Sequence, residues 1–318
     1  METETITLRN TVENIENSID GKVIGSKRMV RFMMISLLTS NHILLEGVPG
    51  LAKTMLASEF SKHLGIDFNR IQFTPDMLPS DITGNMVFNM ETKKMEFRRG
   101  PIFANVILAD EINRTPPKVQ SALLEAMEEK QVSVYGITTR LPNPFFVIAT
   151  QNPIEQEGTF PLAEALMDRF LFRYYLSYPS MDDELKILSS VYKNVKTEYE
   201  KLDGEKIIYF RNAIKNVYVS DDIMEYIVNI IRKTREYDMV YLGASPRTSV
   251  KYLNAARANA LISGRNYVIP EDIIFMSKEL LNHRLILRPE ALLDNESDYQ
   301  KIVYGIIDKI IDTVEVPQ

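Results

Sequence analysis

Four polar residues carry the chemistry this sequence offers: Lys53 and Thr54 at the end of a glycine-bearing loop, and Asp110 and Glu111 at the end of an apolar run. A lysine and a hydroxyl directly after Gly47-Val48-Pro49-Gly50-Leu51-Ala52 form the pattern of a phosphate cradle. The glycines let backbone N–H groups turn toward an anion, and the helix that opens at Lys53 presents its positive end to it. Asp110-Glu111, closing Val106-Ile107-Leu108-Ala109, supplies the complementary half. Asp110 would order Mg2+ through its waters while the Thr54 hydroxyl binds the ion, and Glu111 would orient and polarise an attacking water. Lys53 would contact the β and γ phosphates, placing positive charge where negative charge builds as a γ-phosphoryl group leaves.

A further polar group follows the apolar run Phe145 to Ala149, in Thr150-Gln151-Asn152-Pro153. The Asn152 amide can hydrogen-bond both a water and a phosphate. Each feature has a bland reading when taken singly: a plain strand-to-helix turn, an acidic lead-in to a helix, a turn residue before Pro153. In combination they read as a nucleotide hydrolysis site. One position departs from the strict G-x-x-x-x-G-K-[ST] pattern, because Ala52 stands at its last glycine. Alanine accepts helical dihedrals well, so the cradle is expected to survive unless that position needs positive φ.

These residues need strands ending at one sheet edge. Ile43 to Leu45 reads as a buried parallel strand, with a second near Phe68 to Phe73, a central one at Val106 to Ala109, another at Phe145 to Ala149, and a short fifth near Phe172 to Leu176. Ahead of them lie an amphipathic segment (Val12, Ile15, Ile19) and a helix expected to be capped by Ser26 and to bury Met29, Val30, Met33, Leu37 and Leu38. Thr115 as cap and Pro116 at the first position are expected to open a helix carrying Val119, Leu123, Ala126 and Met127. Alternating apolar residues predict β-hairpins near 86–98 and 131–141, the latter turning at Tyr135-Gly136. From Tyr178 onward helical spacing takes over, with starts at Ser220, Ser245-Pro246 and Pro270. The expected architecture is an α/β parallel-sheet nucleotide-binding domain over residues 1–178, followed by a smaller all-α lid domain over 179–318.

Composition narrows the class. The chain has 318 residues, 45% hydrophobic and 25% charged, as in an ordinary globular protein. Its net charge of −6 argues weakly against a nucleic-acid partner. The absence of cysteine excludes disulfides, thiolate metal sites and a cysteine nucleophile. His42, His63 and His283 are too scattered to suggest zinc. No apolar run approaches the ~20 residues of a bilayer span, so a cytoplasmic location without membrane insertion is expected.

The segments LLEGVPGLAKT (44–54), RIQFTPDMLPSDITG (70–84), GPIFANVILADEINR (100–114), ATQNP (149–153), EGTFPLAEALMDRF (157–170) and Ser245-Pro246-Arg247 together resemble the MoxR family of AAA+ ATPases. The resemblance covers most of the chain, and within this family Ala52 is no anomaly. It implies an ATP-driven, Mg2+-dependent, chaperone-like remodeler of protein complexes. It also implies a ring, usually a hexamer, and often a partner with a von Willebrand factor A domain. The resemblance further assigns the whole loop from Gly47 to Thr54, including Val48, Pro49, Gly50, Leu51 and Ala52, with Met55, to the nucleotide, and Val23-Ile24 to its adenine side. Asn152 resembles sensor 1, Arg169 the arginine finger that acts on a neighbour's nucleotide, and Arg247 sensor 2. The two hairpins resemble inserts that face the ring channel or a client, with Phe88 and Tyr135 at their tips. Two alternatives remain at this stage: a nucleotide-gated assembly scaffold with incidental hydrolysis, and a DNA-acting or metal-chelatase motor of the same superfamily.

Overall fold

The computed structural model describes residues 2–48, 50–153, 158–190, 201–293 and 298–317. The chain divides into two compact units. One comprises Glu13–Phe170 with Tyr174–Ile208, the other Met1–Val12, Leu171–Arg173 and Tyr209–Gln318. The first unit therefore runs on past the boundary expected near Pro179.

The opening helices are α1 (Glu2–Asp20) and α2 (Lys27–Leu38). Their apolar stripes are buried, with Val12, Ile15 and Ile19 of α1 and Met29, Val30, Met33, Leu37 and Leu38 of α2 shielded from water. Ser26 precedes α2 as expected but does not cap it. Its hydroxyl is buried without a hydrogen-bond partner, and its N–H donates instead to Asp20 Oδ1 at 2.9 Å.

Strand β1 (His42–Glu46), helix α3 (Lys53–Leu64), strand β2 (Phe68–Gln72) and the short α4 (Pro79–Thr83) follow. A hairpin of β3 (Gly84–Asn89) and β4 (Lys94–Arg99) leads to β5 (Val106–Asp110) and α5 (Pro117–Glu129). The second hairpin, β6 (Gln131–Val134) with β7 (Ile137–Arg140), precedes β8 (Phe146–Gln151), α6 (Glu164–Met167), β9 (Phe170–Tyr175) and α7 (Met181–Ser190). Five strands form the central sheet in the order β2-β5-β8-β1-β9, and the β2/β5, β5/β8 and β8/β1 pairs are parallel. The register pairs Gln72 with Asp110, Ala109 with Ala149, and Glu46 with Gln151. The polar residues after β1, β5 and β8 thus emerge along one edge, where open α/β sheets bind ligands.

Every residue of β1 and β5 is buried, as the continuous apolar runs require. Leu44, Ile107, Ala109, Val147 and Ala149 pack with Val119, Leu123, Ala126 and Met127 of α5. Each Leu, Ile, Val or Met side chain among them contributes about 1.5–3 kcal/mol by leaving water, the alanines less. Helix α5 begins one residue later than the sequence suggests. Pro116 is its N-cap and Pro117 its first residue, while the Thr115 hydroxyl donates to the Ile112 carbonyl. The β6/β7 hairpin turns at Tyr135 (φ 49°) and Gly136 (φ 77°), the paired positive φ values of a two-residue turn whose twist matches that of the strands.

The second unit is mostly helical: α8 (Gly204–Ala213) at its border, α9 (Asp221–Glu236), α10 (Pro246–Ile262), α11 (Pro270–Leu281), α12 (Glu290–Leu293) and α13 (Tyr299–Asp312). It also carries an antiparallel ribbon of β10 (Val240–Leu242) and β11 (Ile286–Leu287), strands too short to show alternation in sequence. Ser220 caps α9 by accepting from the Ile223 N–H. Asp272, almost wholly buried, accepts from Asn259 Nδ2 and Ile269 N and pairs with both terminal nitrogens of Arg265, so its charge is compensated within the unit.

Candidate active site

The loop between β1 and α3 turns on two glycines for different reasons. Gly47 is buried, and a Cβ there would lie 3.0 Å from both the Leu176 carbonyl oxygen and its Cβ, so the position is set by close approach. Gly50 has room for a side chain but adopts φ +87°, which other residues resist. Ala52 is left-handed as well, with φ 55° and ψ 22°. The condition under which its methyl would matter is therefore met. A Cβ in this region costs roughly 1–2 kcal/mol. Glycine in its place would cost ~0.4–1 kcal/mol through unfolded-chain entropy. Ala52→Gly is accordingly expected to stabilise the protein by about 0.5–1 kcal/mol. Urea unfolding followed by circular dichroism measures this, and a fall in the midpoint would contradict the assigned backbone geometry.

No side chain caps the N-terminus of α3, which leaves its first-turn amides to face the loop. Lys53 Nζ donates to the carbonyls of Gly47 (2.6 Å) and Gln151 (3.3 Å), bridging the loop and the end of β8. Val48 and Leu51 are partly buried and Met55 is exposed, whereas Pro49 lies outside the described residues, as does Glu157 of the family-like segment.

Across from the loop, Thr54 Oγ1 lies 3.3 Å from Asp110 Oδ2. The other carboxylate oxygen of Asp110 accepts the Thr150 hydroxyl at 2.5 Å, and the Thr150 oxygen accepts the Glu111 N–H at 2.9 Å. Glu111 is left-handed, φ 58° and ψ 49°, a conformation costing of order 1–3 kcal/mol that concentrates at functional sites. Its Oε2 takes the Gln72 amide at 2.9 Å and pairs with Arg114 at 3.1 Å. Asn152 is buried, and its carbonyl accepts from Asn113 Nδ2 at 3.3 Å. The α/β unit thus gathers Lys53, Thr54, Asp110, Glu111 and Asn152 at one sheet edge. An uncapped helix start, a lysine, a hydroxyl and one carboxylate beside it form a donor set that fits a magnesium–nucleoside triphosphate.

Beside the loop, a cavity of about 430 Å3 is lined by Val23, Ile24, Leu51, Ala52, Met55 and Tyr178, among others. That is room for a small organic group, and it is contiguous with the loop through Ala52. The Tyr174–Ser180 segment, which also lines it, has no functional signal in the sequence, where it reads as the end of a strand and the start of the helical region. Arg70, Gln72 and Thr150 were missed too. For Arg70 and Gln72 the polar–apolar–polar alternation Arg70-Ile71-Gln72 signals that both lie on one face of β2, though not which residue they meet across it.

Arg169, between α6 and β9, pairs with Glu128 of α5 rather than with the nearer Asp168 or Glu164, and its Nε is buried without a hydrogen-bond partner. Arg247 is the second residue of α10, after Ser245, in the helical unit. His42 is buried, with Nδ1 accepting the Val147 N–H, and His63 bonds Ser18, so both serve packing. Among the described residues no helix is long and apolar enough to cross a membrane.

The loop, the Asp-Glu strand end and the following helices define a nucleoside triphosphatase of the AAA+ class. Residues 42–172 match the family described as ATPase family associated with various cellular activities, and residues 232–303 match the AAA lid domain. The chain is 46% identical to the uncharacterized protein YeaC of Bacillus subtilis, over 94% of this chain and 92% of that one. It is 40% identical to Chaperone MoxR1 of Mycobacterium tuberculosis, over 97% of this chain and 83% of the relative. A crystal structure from Cytophaga hutchinsonii, itself assigned only provisionally as an ATPase, superposes with a TM-score of 0.88 at 40% identity, covering 100% of this chain and 98% of that one. The chain belongs to the MoxR family of AAA+ ATPases and is an ATP hydrolase.

Proposed function

We propose that ATP is bound with Mg2+ at the Gly47–Thr54 loop and hydrolysed there, and that the energy drives chaperone-like remodelling or maturation of a protein complex. The observation that carries this reading is the meeting of the Thr54 hydroxyl and the Asp110 carboxylate, 3.3 Å apart, beside an uncapped helix start. Bound Mg2+ supplies charge neutralisation on the phosphate oxygens. Thr54 and Asp110 would hold the ion, and the loop amides and Lys53 would grip the phosphates, Lys53 exchanging its carbonyl partners for them. Glu111 orients and polarises the attacking water, and Asn152 helps to position it. Val23, Ile24 and the neighbouring cavity receive the base. Gly50, Leu51, Ala52 and Met55 line that cavity, Val48 belongs to the same loop, and Pro49, outside the described residues, is assigned to the nucleotide by the family resemblance alone.

Two cations complete the site in this reading: Arg247 from the helical domain, and Arg169 acting on the nucleotide of an adjacent copy. Hydrolysis is then tied to a ring of identical subunits, a hexamer by family resemblance, working in the cytoplasm. A partner with a von Willebrand factor A domain would deliver the client. We keep the functional division at 1–178 for the ATP-binding core and 179–318 for the lid. The chaperone name borne by the Mycobacterium tuberculosis relative supports the remodelling output over the scaffold, DNA-motor and chelatase readings. Lys53→Ala is expected to weaken ATP binding by ~2–4 kcal/mol, some 30- to 1000-fold, because a charge-assisted contact to the β and γ phosphates is lost. Calorimetric titration with ATP measures it, and near-parental affinity would remove the loop from the proposed site.

A further inference from the structure

Asp110 already has a cation on it. Arg70 Nε and Nη2 both donate to Asp110 Oδ2, at 3.1 and 2.8 Å, and this is the oxygen that Thr54 also approaches. The other oxygen is taken by Thr150. We infer that Arg70 is a stand-in cation that occupies the metal-ordering oxygen of Asp110 when no nucleotide is bound, so that it must withdraw for the ion to load and thereby sets the site's affinity for divalent metal. The inference rests on the reading of Asp110 as the metal-ordering carboxylate.

Three observations carry it. The Asp110 side chain is only 9% exposed, and a carboxylate so enclosed is costly unless a cation or hydrogen bonds compensate it. Arg70, by contrast, is 49% exposed on β2, the edge strand of the sheet, so its guanidinium can return to water at small cost. A resting place is prepared, because Gln72 Oε1, two residues along the same face of β2, already accepts Arg70 Nη2 at 2.7 Å. Geometry then makes the two cations exclusive. An oxygen receiving both arms of a guanidinium cannot at the same time order the hydration shell of a dication, and the like charges would stand within a few ångströms. Strand register explains the reach. Arg70 lies opposite Leu108 and Gln72 opposite Asp110, so Arg70 meets Asp110 on the diagonal.

The test is a Mg2+ titration of a fluorescent ATP analogue on the parent chain, Arg70→Met and Asp110→Asn, read as the Mg2+ concentration giving half-maximal nucleotide binding. Removing a partly exposed competing charge is worth about 1 kcal/mol, so Arg70→Met should lower that concentration by about five-fold. Affinity for the analogue in EDTA should stay at the parental value. An unchanged or raised Mg2+ requirement in Arg70→Met overturns the inference, and a loss of affinity in EDTA does so too, by making Arg70 a nucleotide contact. Asp110→Asn separates the two claims. If it raises the Mg2+ requirement while Arg70→Met changes nothing, Asp110 keeps its role and only the stand-in cation fails; if it leaves the requirement at the parental value, the reading of Asp110 fails first. In the double variant Arg70→Met/Asp110→Asn the five-fold gain over Asp110→Asn should vanish, since there is no longer a carboxylate charge to compete for. A gain that persists there overturns the inference.

Discussion

Glu111→Gln is expected to bind ATP with parental affinity and to lose turnover by about 10²–10⁴-fold, the range removed with a general base. The amide is nearly isosteric with the carboxylate, so the left-handed backbone at φ 58° and the Glu111 N–H bond to Thr150 should persist. The Gln72 amide and Arg114 can still donate to the remaining carbonyl oxygen. What disappears is the charge that polarises water. Phosphate release against time, together with binding of a fluorescent ATP analogue, reads both quantities. Turnover within about three-fold of the parent would move the catalytic base elsewhere.

The second large effect is expected at Arg169. In the single chain this guanidinium is paired with Glu128, in the same compact unit as the phosphate loop. Its proposed partner is the nucleotide of an adjacent copy, where a positive charge supplied across an interface accelerates phosphoryl transfer by about 10³–10⁵-fold in other nucleotide hydrolases. Arg169→Ala should therefore lower turnover by about 10³-fold while leaving each chain's own loop able to bind ATP. A merely structural role for the pair with Glu128 predicts something different, namely a loss no larger than ~1 kcal/mol of stability for a partly exposed ion pair and little change in rate. Thermal melting and ATPase rate, measured on the same preparation, separate the two.

The parts of the site legible in sequence are those whose chemistry is contiguous. Lys53-Thr54 open the helix after a short glycine loop and Asp110-Glu111 close a buried strand, and in both places an apolar run followed within a few residues by a polar pair announces the strand and its edge. Parallel order could be anticipated because β1, β5 and β8 carry unbroken apolar runs at Ile43 to Leu45, Val106 to Ala109 and Phe146 to Ala149, which only a sheet covered on both faces permits. Local backbone geometry was harder to read. Ser26 is the right residue type for a cap, but its hydroxyl is buried and the Asp20 carboxylate bonds the backbone there instead. The start of α5 shifted by one residue because two prolines in succession can each open a helix, and only the Thr115 bond back to Ile112 decides between them. The left-handed φ of Ala52 is invisible in a residue that prefers helix, since the loop imposes it. Arg70 and the partner of Arg169 were out of reach for a different reason. Their contacts depend on which residues lie opposite across neighbouring elements, and strand register and helix packing are tertiary facts.

The central claim is that ATP is hydrolysed at a site completed by two copies of the chain, Glu111 from one and Arg169 from the next. Mixing Arg169→Ala with Glu111→Gln tests it most directly, with co-purification on a tag carried by one variant showing that the assemblies are mixed. Interfaces that unite the intact Glu111 of one subunit with the intact Arg169 of its neighbour should restore phosphate release well above either variant alone. Mixed assemblies that remain as inactive as the separate variants would contradict the shared site.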